Sequence, residues 1–115
     1  QNLCIAYQDI LKKHKLYATS TTGQMIEDVA NLKIHKLLAG HFGGMQQMGG
    51  KISNNEIDLL IFLQDPSNKK RTPDFYNVLN LCDQYNIPCA TNLPTAEVLI
   101  LALDRGDLDW RNMYK

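Results

Sequence analysis

Two stretches of this chain concentrate the side chains and backbone freedom that chemistry on a small anionic ligand requires. The first is Thr19-Ser20-Thr21-Thr22-Gly23, four consecutive hydroxyls and a glycine placed just ahead of a helical pattern. Backbone N–H groups at the start of a helix, joined by hydroxyl donors, suit a phosphate. A single Ser or Thr would be enough for ordinary capping of that helix; four in a row favour the phosphate reading. The second is Gly40-His41-Phe42-Gly43-Gly44-Met45-Gln46-Gln47. Its three glycines, Gly40, Gly43 and Gly44, allow backbone to come close to a ligand, and the alternative is a permissive surface loop. An acid would be expected at its centre for proton transfer, and Met45 stands there instead. His41 is a candidate base or donor in the same stretch. Further along, Asp65-Pro66 follows an apolar run and Asp74 follows Pro73. Asp65 could orient a partner or accept a proton. Asp74 could be a second acid or only a first-turn helix acid.

These groups need elements to hold them. Leu3, Ala6, Tyr7, Ile10, Leu11 and His14 recur at helical spacing, which predicts a helix over residues 2–14. Leu16–Thr19 reads as a strand, residues 22–31 as a second helix and His35–Gly40 as a weaker strand. Residues 45–54 form a short helix in this reading, and Ile57–Gln64 is the clearest buried strand, continuously apolar with no Gly or Pro. Pro73 suits the first turn of a helix running to about Tyr85. Ile87–Thr91 is a strand and residues 94–104 a last helix, followed by a tail with Trp110 and Tyr114. Strands alternating with helices predict an α/β fold: an open, mainly parallel sheet with helices on both faces. In such a sheet ligands bind beyond the carboxyl ends of the strands. The unusual residues 19–23, 40–47, 65–74 and 91–95 all follow strands. That agreement is stronger than any one loop.

The 115 residues make one domain, large enough to bury a core. Lys+Arg and Asp+Glu balance at 12 each, so no basic excess is available for a nucleic-acid backbone. The Lys69-Lys70-Arg71 run reads as a solvated charged loop, with a cationic rim for an anionic ligand as the lesser reading. No apolar run reaches membrane-spanning length and no secretory pattern opens the chain, so a cytoplasmic protein is expected. Cys4, Cys82 and Cys89 are an odd count without metal-like spacing and read as reduced, buried thiols. The histidines are not paired with them as a zinc site would need. The chain opens at Gln1 inside a helical pattern, so a preceding strand is expected to be missing from residues 1–115.

LYATSTTG, GHFGGMQQMGG, IDLLIFLQDP, TPDF and NIPCATNLPTAE, in this order and spacing, resemble the methylglyoxal synthase family, as do AYQDILKKHKLYATSTTG and LDRGDLDWRNM. The resemblance covers nearly the whole chain. The wider superfamily of this fold includes the allosteric domain of carbamoyl phosphate synthetase, which binds effectors without chemistry. The resemblance implies conversion of glycerone phosphate (dihydroxyacetone phosphate) to methylglyoxal and inorganic phosphate, with no metal or organic cofactor and a hexameric assembly. It places Thr19, Thr21, Thr22 and Gly40 on phosphate-binding positions, Asp74 on an active-site aspartate and Asp65 on the family's Asp-Pro. Ser20, Gly23, Gly43 and Gly44 complete the expected cradle.

The departures from the family pattern concern acid–base chemistry. The family carries Gly-Gly-Asp-Gln-Gln with the Asp as base, where this chain has Met45. A Ser usually stands where Ala39 is. The loop before Pro73 is one residue shorter, with Arg71 and Thr72 in place of a His that polarises the substrate. The family's first strand, with its His-Asp pair and a nearby Lys, has no counterpart here. A slow or inactive enzyme, or a phosphometabolite-binding regulatory module of the same fold, is expected.

Overall fold

The backbone is extended at Leu16–Thr19 and Ile34–Leu37, each of which carries one β-branched residue, Thr19 and Ile34. A computed structural model of the chain describes residues 2–38, 43–63 and 73–114, which fall in two compact units, 1–47 and 48–115. In the first unit β1 (Leu16–Thr19) pairs in parallel with β2 (Ile34–Leu37), in the register Leu16↔Ile34, Tyr17↔His35, Ala18↔Lys36 and Thr19↔Leu37. The helix α3 (Ser20–Ala30) crosses between them, as a parallel pair requires. It ends at Asn31 in the left-handed conformation (φ 42°), a C-terminal stop open to Asn.

The helix expected over residues 2–14 is instead two short ones, α1 (Asn2–Ala6) and α2 (Gln8–Leu11), bent at Tyr7 (φ −112°, ψ 24°). Leu3 and Leu11 are still buried. Of the expected stripe, Tyr7 and Ile10 are half-buried and Ala6 and His14 exposed, so the bend at Tyr7 leaves only part of that face covered. After Leu11 the bonds tighten to three-residue spacing (Lys13 N–H to Ile10 O, 3.2 Å; His14 N–H to Leu11 O, 3.1 Å) and the helix stops.

Close approach of α3 to the strands is possible because Gly23 has no side chain. A Cβ there would lie 3.0 Å from Lys36 Cγ and 3.1 Å from Ile34 Cγ2. On the same face Glu27 accepts from the Ile34 N–H (3.1 Å) and from Lys36 Nζ (2.5 Å), tying α3 to the start of β2.

In the second unit β3 (Leu60–Ile61) pairs in parallel with β4 (Cys89–Ala90), Leu60↔Cys89 and Ile61↔Ala90. Flanking bonds from Leu60 N–H to Pro88 O (3.0 Å) and Phe62 N–H to Ala90 O (2.7 Å) extend the contact. Both strands are shorter than the expected 57–64 and 87–91. A hydrophobic run reports burial, whereas strand length is set by the partner that pairs with it. Gln64 lies outside the described residues. The helix α4 (Gly44–Ser53) precedes β3, α5 (Pro73–Gln84) follows it, and α6 (Leu93–Asp104) follows β4. Asn92 caps α6, accepting from Thr95 N–H (3.1 Å) and Thr95 Oγ1 (2.8 Å). Phe75, Val78 and Cys82 of α5 and Ile100 of α6 are fully buried, and Phe62 meets Phe75 edge-on with ring centroids 5.2 Å apart.

The chain ends in a 3₁₀ helix, Asp109–Tyr114, that delivers Arg111 into the second unit with 3% of its surface exposed. Its guanidinium donates to Asp58 Oδ1 (3.2 Å), Asn55 Oδ1 (2.8 Å), Asn86 O (2.5 Å) and Ile57 O (3.3 Å). A buried charge is tolerated only when so satisfied. Among the described residues no helix is long and apolar enough to cross a membrane.

Two outcomes follow. Arg111→Met removes these four donations and is expected to cost about 3 kcal/mol, read as a lower urea midpoint. Gly23→Val drives a branched side chain into Ile34 and Lys36, with an expected cost of about 1–3 kcal/mol from overpacking; an unchanged midpoint would mean α3 shifts freely on the strands.

Candidate functional site

Thr19 is the last residue of β1 and Ser20 the first of α3, so the run expected as a loop is a direct strand-to-helix junction. Ser20, Thr21, Thr22 and Gly23 form the first turn of the helix, two residues earlier than the expected start at 22. Polar β-branched residues disguised this turn as a loop, since their helix propensity is low. Thr19 is extended (φ −62°, ψ 157°) and makes no side-chain capping bond. The Thr19 hydroxyl is thus not spent on capping the first N–H groups of α3, which carry the positive end of the helix. Thr21 and Thr22 are exposed, Thr19 and Ser20 half-buried, and no acidic side chain occupies the first turn. Gly23 is buried, and its missing side chain serves the packing of α3.

The neighbouring strand leads to the second stretch. Gly40 and His41 lie outside the described residues, but both flanks are defined. Leu38 N–H donates to Gln47 Oε1 at 2.7 Å, and Gln47 N–H returns to Gly43 O at 3.0 Å. Gly43 adopts φ +100°, a conformation costly for any side chain, and a Cβ there would meet Leu38 Cδ1 at 3.6 Å. Gly44 begins α4 and is buried; Met45 is second in the helix and half-buried. Because Thr19 pairs with Leu37, the carboxyl ends of β1 and β2 stand side by side. The first unit therefore brings Thr19–Gly23 and the Gly43-Gly44-Met45 turn to one end of its strand pair. Gln47 is exposed in α4, and the bond that its amide oxygen accepts from Leu38 is one that sequence reasoning did not anticipate. Nothing in the local pattern signals a bond made nine residues back.

Asp74 belongs to the second unit. It is second in α5, after Pro73, and half-buried. With Pro73, Tyr76, Asn77 and Asn80 it lines an open depression of about 620 Å³. Asp65 and the Lys69-Lys70-Arg71 run lie outside the described residues. Among the described residues no group of three or more His, Cys, Asp and Glu side chains could hold a metal ion. Cys82 is buried as expected, while Cys4 and Cys89 are only half-buried.

Parallel strand pairs flanked by helices define an α/β protein. The comparisons agree. The MGS-like domain family model matches residues 2–91. The methylglyoxal synthase of Caldicellulosiruptor saccharolyticus is 54% identical over 110 residues, covering 95% of this chain and 78% of that protein. That of Clostridioides difficile is 50% identical over 113 residues, covering 97% and 82%. The crystal structure of methylglyoxal synthase from Elizabethkingia anophelis superposes with a TM-score of 0.78 at 31% identity, covering 86% of this chain and 66% of that one. This chain belongs to the methylglyoxal synthase family, and its fold is the α/β fold of that family.

The Glu27 carboxyl beneath the junction is held below its ordinary value of 4.5, first by the hydrogen bond from Lys36 and then by the Ile34 N–H. A lowered folded-state value means stabilisation that is present above the unfolded value and lost as pH falls through the folded one. Glu27→Gln is therefore expected to lower the Tm at pH 7, with the gap to the parent closing as the solution is acidified below the ordinary Glu range. A gap that stays constant with pH would show that the charge is not what ties α3 to β2.

Proposed function

We propose that this chain is a methylglyoxal-synthase-type protein that holds the phosphate of a three-carbon phosphorylated ketone at the β1–α3 junction, and that Met45 makes it slow or inactive as an enzyme. The observation that carries this reading is the pairing of an uncapped helix N-terminus bearing accessible hydroxyls with the Gly43-Gly44-Met45 turn at the same end of β1 and β2. Thr19, Ser20, Thr21 and Thr22 donate to the phosphate through backbone and hydroxyl groups in this proposal. Gly23 contributes its N–H, and Gly40, Gly43 and Gly44 admit close backbone.

The family reaction needs a carboxylate to take a proton from the carbon beside the ketone and a donor to steady the enediolate oxygen. Collapse of the enediolate then expels phosphate. A thioether at position 45 cannot accept that proton. Asp74, Asp65 and His41 are the remaining acid–base candidates, with Asp74 the one that lines a defined depression. No metal or organic cofactor enters this reading. The family match runs from residue 2 to residue 91 and so draws on both units, which supports one domain of this type over residues 1–115. Self-association into a homo-oligomer, a hexamer by family likeness, completes the proposal.

A second reading, a regulatory module that senses a phosphorylated metabolite or inorganic phosphate, is favoured by the same Met45. A cradle can persist without a base.

The test is methylglyoxal and phosphate release from glycerone phosphate, alongside calorimetric titration with inorganic phosphate. The parent is expected to turn over near background and to bind phosphate. Met45→Asp is expected to raise turnover by a factor of about 100 to 10,000, the usual worth of a general base. Rapid turnover by the parent would overturn the role given to Met45 and direct attention to Asp74→Asn. Absence of phosphate binding in folded protein would remove the cradle itself.

A further inference from the structure

One helix of the second unit is apolar on two faces. Only Thr95, Glu97 and Asp104 of the twelve residues of α6 are polar. Its inner face is set by Ala96 and Ile100, one turn apart and fully buried, and α6 packs on β4. On the far side Pro94, Val98 and Leu101, with Arg105 at the C-cap, are all exposed, Val98 with 63% and Leu101 with 42% of its surface. A helix with one face in a core and the other in water would carry polar residues along that far side. Here only the last member, Arg105, is polar. The spacing of these residues, four then three then four, is that of a narrow seam between two helices.

The two ends of the seam differ in charge. The first turn of α6 holds no acid and presents the positive end of the helix. Asp104 ends the helix, Asp107 and Asp109 follow it, and all three are exposed. Arg105 pairs with Asp107 at 2.9 Å, which leaves this end acidic in excess. Acids at the negative end of a helix are unfavourable on their own, and a positive helix end brought beside them offsets that.

We propose that the outer face of α6 is a self-complementary docking surface for a second copy of this chain, packed antiparallel about a two-fold axis between Val98 and Leu101. The proposal rests on the homo-oligomer reading given above and names its surface. About such an axis Val98 of each copy meets Leu101 of the other, so one patch serves both sides of the contact. Asp104 of each copy then comes beside the first turn of the other α6, acid against positive helix end. A parallel pairing would set acid against acid.

The experiment measures mass by size-exclusion chromatography with light scattering over a range of concentrations. The parent, Val98→Glu and Leu101→Lys are run alone, and the two variants are run as an equimolar mixture. Both side chains are exposed, so neither change enters the core. The parent is expected to be oligomeric, and each variant is expected to fall in mass by at least a factor of about two, as the loss of a two-fold contact requires. The mixture is expected to regain the parent mass, because the new carboxylate at position 98 of one copy meets the new ammonium at position 101 of the other. An unchanged mass in either variant, or a mixture that stays at the lower mass, would overturn this surface while leaving the homo-oligomer reading in place. A parent that is monomeric throughout would overturn both. Hydroxyl-radical footprinting of the parent needs no variant: Val98 and Leu101 are expected to be protected while Met113, 82% exposed, is labelled. Free labelling of Val98 and Leu101 would overturn the proposal even if a variant folds poorly.

Discussion

One guanidinium organises the second unit. Arg111 is delivered by the final 3₁₀ helix, yet its partners lie in the turns that lead into β3 and β4: Asn55, Ile57 and Asp58 on one side, Asn86 on the other. A planar group with five donors can bind two turns at once and fix the angle between them, which a lysine could not. Desolvating that charge is offset because each of its three nitrogens donates, in four hydrogen bonds in all; among the described residues no buried side-chain nitrogen or oxygen lacks a partner. The strands therefore enter the sheet from a fixed base.

The first unit solves the same problem by closeness. Removing the side chain at residue 23 lets α3 settle against Ile34 and Lys36, and Glu27 then reaches the backbone of β2. This is why a glycine in the first turn of a helix, a poor choice by propensity, is useful here. Sequence reasoning set this glycine in a proposed phosphate cradle, and its packing role against Ile34 and Lys36 was not foreseen. Burial below and hydroxyls above are compatible, because Gly23 faces the strands while Thr21 and Thr22 face solvent.

The sequence was most readable where one residue acts alone. Pro73 begins α5, and the run LYAT is β1 to the residue. It was less readable where a pattern has two physical causes. Ser20, Thr21 and Thr22 resemble a loop by composition but sit in a helix, because tertiary packing through Gly23 outweighs weak propensity. The apolar run 57–64 signals burial, while only Leu60 and Ile61 are laddered. Long-range contacts had no local trace at all: Gln47 to Leu38 and Arg111 to Asp58 join residues that no periodicity connects. Of the candidate site, Thr19–Gly23, Gly43, Gly44 and Asp74 have defined positions, whereas Gly40, His41 and Asp65 lie outside the described residues.

Three asparagines hold left-handed backbone, Asn31, Asn55 and Asn86, with φ of 42°, 58° and 56°. Each stands just past the end of a helix (α3, α4 and α5) and just ahead of a strand (β2, β3 and β4). Three of the four described returns from helix to strand, all but that from α2 to β1, are thus made by the same inexpensive local device, an Asn whose short side chain tolerates that conformation. Gly43, past the carboxyl end of β2, also holds a positive φ, +100°. A β-branched side chain at any of these four positions would strain the backbone, so the chain's freedom to vary there is limited by folding alone, whatever ligand the protein takes.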